Sequence, residues 1–250
     1  MAEVTEVAGR TGFGVTLRRD AWWVAPLATA LGLGAFGVYS FWAALQGNHY
    51  ESSPYLSPFY SPLILVDWWK FSPAFLILWA PLGFRATCYY YRKAYYRSYF
   101  LDPPACAVGE FRDGKYKGET AFPFILQNLH RYMLIPALAL IAFLWHDAYN
   151  AFFFSDGLHM GVGSLVLTAN AFLLSGYTLG CHSLRHLVGG RLDCFSCATL
   201  GNLRHGIWEK QSVLNRFHMG WAWTSLFMVG FSDVYVRLLS MGVITDVRLI

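Results

Sequence analysis

Residues 22–45 run for 24 positions without a charged side chain. A bilayer core about 30 Å thick takes about 20 such residues as a helix, and helix is the form in which a single segment can satisfy its own backbone there. Four further stretches have the length. Leu63–Tyr91 carries Asp67, Lys70 and Arg85 toward its ends. Tyr132–Phe154 and Leu158–Leu184 are separated by Ser155-Asp156-Gly157, a turn short enough for an antiparallel hairpin. Phe217–Val243 holds Asp233 and Arg237 at i,i+4 spacing, which reads as an ion pair on one helix face. The sequence therefore predicts an all-α chain, an integral membrane bundle of five transmembrane helices making one anchor domain over 1–250. Composition agrees: 56% of residues are hydrophobic and 14% charged, which excludes disorder, a collagen-like fibre and a disulfide-rich secreted domain. The first stretch is too long for a signal-peptide core and has no small-residue cleavage pattern after it, so a secretory signal is not expected.

Charge fixes the expected orientation. With the N-terminus in the cytoplasm, Arg10, Arg18 and Arg19 lie inside. The loop 92–130 adds Arg92, Lys93, Arg97, Arg112, Lys115 and Lys117, and the loop 185–216 adds Arg191, Arg204, Lys210 and Arg216. Arg85, Arg131 and Arg185 sit at inner helix ends, so sixteen of the 19 basic residues face inward. The outer segments 47–62 and 155–157 contain neither Lys nor Arg. This is the positive-inside pattern. It accounts for the net charge of +4 through orientation and lipid headgroups, with no nucleic-acid partner. The run Tyr89–Arg97 reads as an aromatic belt at the inner interface, and the two inner loops are long enough to dock a soluble protein.

The chemistry-bearing residues collect at the same depth. His130, His182, His186, His205 and His218 fall near the inner face, whereas His49, His146 and His159 fall near the outer. His182 and His186, four apart, share a helix face. Gly189-Gly190 then stops the helix, and Cys194-x-x-Cys197 follows. Two His and two Cys are the donor set of a closed zinc site and equally of a Rieske-type [2Fe–2S] centre. Spacing does not choose between them, and packing cysteines beside an ordinary histidine pair are the plain alternative. A disulfide is disfavoured on a reducing cytoplasmic side. Haem is the rival cofactor, with His182 or His186 opposite His218, or His146 opposite His49 or His159, as axial pairs. A membrane diiron enzyme would need further histidine boxes that the chain lacks.

Gln127-Asn128-Leu129-His130-Arg131, preceded by Phe122-Pro123-Phe124, opens the third stretch, and Arg185-His186 followed by Asp193 closes the fourth. In these motifs the chain resembles the membrane-anchor (cytochrome b) subunit of succinate dehydrogenase and fumarate reductase, respiratory complex II. A Ser-x-x-His-Arg pattern opens one span there and an Arg-His…Asp pattern ends the next. The resemblance covers mainly 120–195. It implies a bacterial inner (plasma) membrane subunit without succinate chemistry of its own. A flavoprotein and an iron–sulfur subunit would dock on its cytoplasmic side and pass electrons to quinone, in a complex that can form higher oligomers. The implied quinone contacts are Gln127, in place of the family's Ser, with His130, Arg131 and Ser183. The family's haem histidine would fall at Leu179, so the resemblance points instead to the branch that carries a Rieske-type cluster. Its ligands would be His182, His186, Cys194 and Cys197, with His218, Cys181 and Cys88 as substitutes and haem b as the alternative. On that ligand set, replacing His182 and His186 with alanine abolishes quinone reduction. A transporter or structural scaffold is the reading from another class, and the few polar residues within the spans (Thr168, Asn170, Asp233) speak against it.

Overall fold

The computed structural model describes residues 12–111, 120–122, 124–155 and 157–249. Arg10, Arg112, Lys115, Lys117, Pro123 and Asp156 lie outside the described residues. The chain is mostly helical: α1 (Val24–Gln46), α2 (Phe75–Ala86), α3 (Tyr89–Tyr95), α4 (His130–Asn150), α5 (Val162–Leu179), a single turn α6 (His182–Arg185), α7 (Gly201–Arg216) and α8 (His218–Ser240). Two-residue antiparallel ladders pair Glu51–Ser52 with Tyr55–Leu56, and Phe153–Phe154 with Gly157–Leu158. Among the described residues three helices are long and apolar enough to cross a membrane: Val24–Gln46, Ile125–Asn150 and Val162–Leu179. The 23-residue α8 carries the Asp233–Arg237 pair.

The stretch expected to span over 63–91 is not one helix. Residues before Phe75 form turns, because Ser72 precedes Pro73 and a residue in that position is pushed out of the helical region. Helix α2 runs for 12 residues around Pro81, about 18 Å at 1.5 Å per residue. Cys88 is then extended, at φ −64 and ψ 132, before α3 begins.

Contacts group into two compact units, 1–38 with 85–129 and 39–84 with 130–250. In the first, the segment from Gly14 lies along the 106–109 turn: Gly14 N–H donates to the Gly109 carbonyl at 3.1 Å and Gly109 N–H to that of Val15 at 2.8 Å. Arg18 adds a bond to the Cys106 carbonyl at 3.0 Å. Tyr99 ties the helical segment down by donating to the Ala30 carbonyl at 2.8 Å.

In the second unit α5 is central, packed chiefly against α8 and α4. Its core joins Tyr55, Ala148, Ala151, Leu167, Ala171 and Val236. Lipid is as apolar as these side chains, so helices associate through close van der Waals approach and hydrogen bonds, which small residues permit. Gly163 is such a place: a Cβ there would stand 2.5 Å from the Tyr55 ring. That ring cannot withdraw easily, since the Tyr55 hydroxyl donates to Asp246 at 2.5 Å. Gly163→Ala is therefore expected to destabilise the fold by about 1–3 kcal/mol, the usual cost of overpacking, read as a lowered thermal midpoint of the purified protein.

Asp246 also accepts from Tyr235 at 2.5 Å and from the Gly163 N–H at 3.1 Å. Burial first, and the Asp246 carboxylate second, push the Tyr55 phenol up to about 12. A phenol held protonated in the fold contributes stability that is intact below its unfolded value near 10. That contribution is lost as the pH climbs from there toward 12. Thermal unfolding followed from pH 8 to 12 should show this alkaline loss, and Tyr55→Phe should flatten it.

The expected pair within the last helix is present and fully buried. Asp233 accepts from Arg237 Nε at 3.4 Å, from Tyr39 at 2.5 Å and from Ser57. Arg237 turns its remaining donors on the Asn48 carbonyl at 3.2 Å and the Ala43 carbonyl at 3.4 Å, and its guanidinium lies 5.2 Å from the Trp42 ring centre. One of those acceptors, Ala43, belongs to the last turn of α1, whose carbonyls lack helical partners.

Candidate functional site

Four chain turns build the site. Helix α2 ends just after Phe84, α4 begins at His130, the short α6 begins after Cys181, and α8 begins at His218. Cys181 is extended at φ −65 and ψ 135 and caps α6: its sulfur accepts the Ser183 N–H at 3.3 Å. His130 Nε2 lies 3.0 Å from the Cys181 sulfur. The ring also hydrogen-bonds the Phe84 backbone and stacks on the Phe84 side chain, with centroids 4.5 Å apart at 12°. Phe84 meets Tyr177 edge-on at 5.6 Å, and Tyr177 stacks on His218 at 5.0 Å and 19°. The result is an imidazole and a thiol facing one another inside an aromatic wall, with Cys181 and Tyr177 each 1% exposed.

The neighbouring turn is locked by side-chain amides. Gln211 Nε2 donates to the Leu179 carbonyl at 3.0 Å and Asn215 Nδ2 to that of Gly180 at 2.8 Å. These bonds satisfy the last carbonyls of α5 and leave Cys181 placed at the start of the next turn. Gly176 lets Trp221 approach, since a Cβ there would lie 2.6 Å from the indole.

In the first unit, Gln127 Nε2 donates to the Tyr95 hydroxyl at 2.9 Å. Its Oε1 is buried and takes no hydrogen bond from any described residue. Burial, the larger influence, pushes the Tyr95 phenol up, while the Gln127 bond opposes it. In the second unit, Arg131 is exposed, its guanidinium 5.3 Å from the Tyr132 ring centre.

The ligand set expected from the Cys/His run is not brought together. His182 and His186 are exposed, and Cys194 and Cys197 are bonded to each other as a disulfide. Among the described residues, no group of three or more His, Cys, Asp or Glu side chains is placed to hold a metal ion. The helix stop at Gly189-Gly190 does occur, and the chain beyond it returns through α7 to pack against 186–190 and α6, but among the described residues the two sulfurs are not grouped with His182 and His186. Cys181, named only as a substitute, is the cysteine that meets a histidine, and that histidine is His130. Cys88 is buried and not part of a disulfide. His205 lies 3.7 Å from Glu209 one turn on, and at the other end His146 lies 3.6 Å from Asp147 and His159 meets the Phe154 ring at 5.9 Å. Phe84 and Tyr177 carry no motif, and nothing in their spacing distinguishes them from other aromatics of an apolar helix.

A family model described as actinobacterial succinate dehydrogenase subunit SdhC matches residues 24–242. This chain belongs to that family. A chain of the Mycobacterium smegmatis Sdh1 complex in the apo form is similar to it, 43% identical over 94% of each chain, with a TM-score of 0.84. No curated protein matches. This SdhC-family chain is thus a membrane-embedded anchor subunit of a succinate dehydrogenase complex. The resemblance seen at 120–195 extends, at family level, over most of the length.

Proposed function

We propose that this chain is the five-span anchor, N-terminus inward, that passes electrons from succinate to quinone at the inner face of a bacterial plasma membrane. A cytoplasmic iron–sulfur subunit, itself supplied by a flavoprotein subunit, hands electrons to it. The observation that carries this reading is the meeting of His130 and Cys181 at 3.0 Å within the aromatic wall.

As donors to an iron centre, His182, His186, Cys194 and Cys197 do not fit, because the two sulfurs are spent on one another. His130 and Cys181 do fit in kind. They offer one nitrogen and one sulfur, and the His130 ring is fixed by the Phe84 backbone as a metal-binding imidazole usually is by a carbonyl. His218 and Cys88, the other substitutes named from the sequence, would supply the second nitrogen and sulfur, although among the described residues the four are not gathered into one group. A Rieske-type [2Fe–2S] centre held by these residues would supply a one-electron relay whose potential histidine ligation raises. Quinone contacts then fall to Gln127, Arg131 and Ser183. The buried Oε1 of Gln127 can accept a hydroxyl proton bond from quinol, and the Arg131 cation can polarise a quinone carbonyl and stabilise charge on the reduced ring.

Low-temperature EPR of the purified complex tests the reading. A rhombic signal of low average g should appear on reduction, vanish in His130→Ala and Cys181→Ala, and survive in Cys194→Ser. A low-spin ferric signal in the oxidised sample would replace the cluster with haem, and a silent complex that still reduces quinone would end both.

A further inference from the structure

The Cys-x-x-Cys loop is left unused by the site above, and its geometry is specific. Cys197 is exposed, Cys194 half-buried, and the two are bonded. The Cys197 N–H also points at the Cys194 sulfur, at 3.2 Å. Between them Phe195 turns inward, its ring 4.9 Å from His205 and 6.0 Å from Trp208. The ring seats against Gly189, where a Cβ would come within 2.8 Å of it. Trp208 carries the Arg185 guanidinium 4.6 Å from its ring centre, and Arg185 Nε donates to Ser212 at 2.8 Å. A continuous line of contacts thus runs from the sulfurs through Phe195 and Trp208 to Arg185, the last residue of α6, the turn that Cys181 caps.

A disulfide that closes so short a loop adds little by chain entropy, which grows with loop length. It is not a staple for global stability. An exposed bond of this kind is instead the reducible sort. We propose that Cys194 and Cys197 are a reversible dithiol–disulfide couple, a modification site that sets how firmly Phe195 holds residues 191–200 against α7 and the end of α6.

The exchange balances with an oxidised low-molecular-weight thiol as the oxidant. The Cys197 thiolate, the more exposed, attacks one sulfur of that disulfide, forming a mixed disulfide and releasing one thiol. The Cys194 thiolate then attacks the Cys197 sulfur, closing the Cys194–Cys197 bond and releasing the second thiol. Two electrons leave the chain, and the two cysteine protons end on the two released thiols. Reduced thiol runs the sequence backward, which reconciles the bond with a reducing compartment.

The test uses the whole purified complex equilibrated in buffers of stepped reduced-to-oxidised glutathione ratio, quenched in acid and alkylated. Mass spectrometry of the peptide holding both cysteines should show the disulfide fraction moving from near zero to near one across the series. Amide hydrogen exchange over 186–208 should slow at least about threefold in the disulfide form, as local opening becomes rarer. Cys194→Ser and Cys197→Ser should both stay at the reduced rate. Alkylation at every ratio, disulfide at every ratio, or thiols protected by one zinc per chain that a chelator removes would each overturn the proposal. So would a couple that titrates with no change in exchange. These readouts are mass and exchange, not electron flow, so they stand apart from whether iron sits at His130 and Cys181.

Discussion

His130→Ala is expected to lower succinate-driven quinone reduction by more than about 100-fold while leaving succinate oxidation by a soluble electron acceptor intact. Loss of a group that merely orients a metal ligand costs about 10–100-fold, and His130 stands at the sulfur of Cys181 itself. The same assay on the double variant His182→Ala with His186→Ala should retain most of the rate, since both side chains are exposed and neither is gathered with the cysteines. The Cys/His run alone would give the opposite outcome, so a pair of assays decides between two ligand sets. A parallel fall in both activities of His130→Ala would show lost assembly, and co-purification of the soluble subunits separates that case.

The second large effect concerns the buried ion pair. Asp233→Ala should destabilise the anchor by about 3–5 kcal/mol, because removing one partner leaves the other charge buried without compensation. Arg237 is 5% exposed and reaches no carboxylate besides Asp233 among the described residues. Its two carbonyl bonds, to Ala43 and Asn48, cannot neutralise it. The double variant Asp233→Leu with Arg237→Met should recover most of the loss, since a buried pair replaced by apolar groups of similar volume is often near neutral. Thermal unfolding of the three detergent-solubilised proteins checks this. If the double variant were as unstable as the single one, the carbonyl bonds of Arg237, not its charge, would hold the C-terminal ends of α1 and α8 together.

The helices were legible because their periods and charges are local properties. Trp22–Leu45 and Leu158–Leu184 contain their spans within a few residues, and the i,i+4 pair in the last helix is where spacing puts it. The second stretch misled, because hydropathy counts Leu63–Val66 as apolar without weighing how Pro73 breaks the helix beyond it. The site was legible in its parts and not in its assembly. His130 stood out through its Arg neighbour, but Cys181 had no partner at short range: the two are 51 residues apart and meet only because α4 and α5 run antiparallel. The denser Cys-x-x-Cys attracted the metal reading because ligand motifs are recognised by short spacing. In a helical bundle, though, residues at one depth come from different helices, and no local pattern records it.

Helix α2 presents Trp79 and Leu82 outward, 55% and 68% exposed, over a length about 12 Å short of a typical hydrocarbon core. Irregular chain cannot face lipid tails, so the turns before Phe75 belong at headgroup level. On the five-span reading proposed above, in which α2 is the second span, the bilayer on that flank draws inward, at a cost of a fraction of a kcal/mol per Å. Hydrophobic thickness is usually a property of the lipid. On the same reading it is written into the protein along this edge, by Pro73 at the start of α2 and the extended Cys88 after its end, and the anchor is expected to favour thin or compliant membranes over thick, stiff ones.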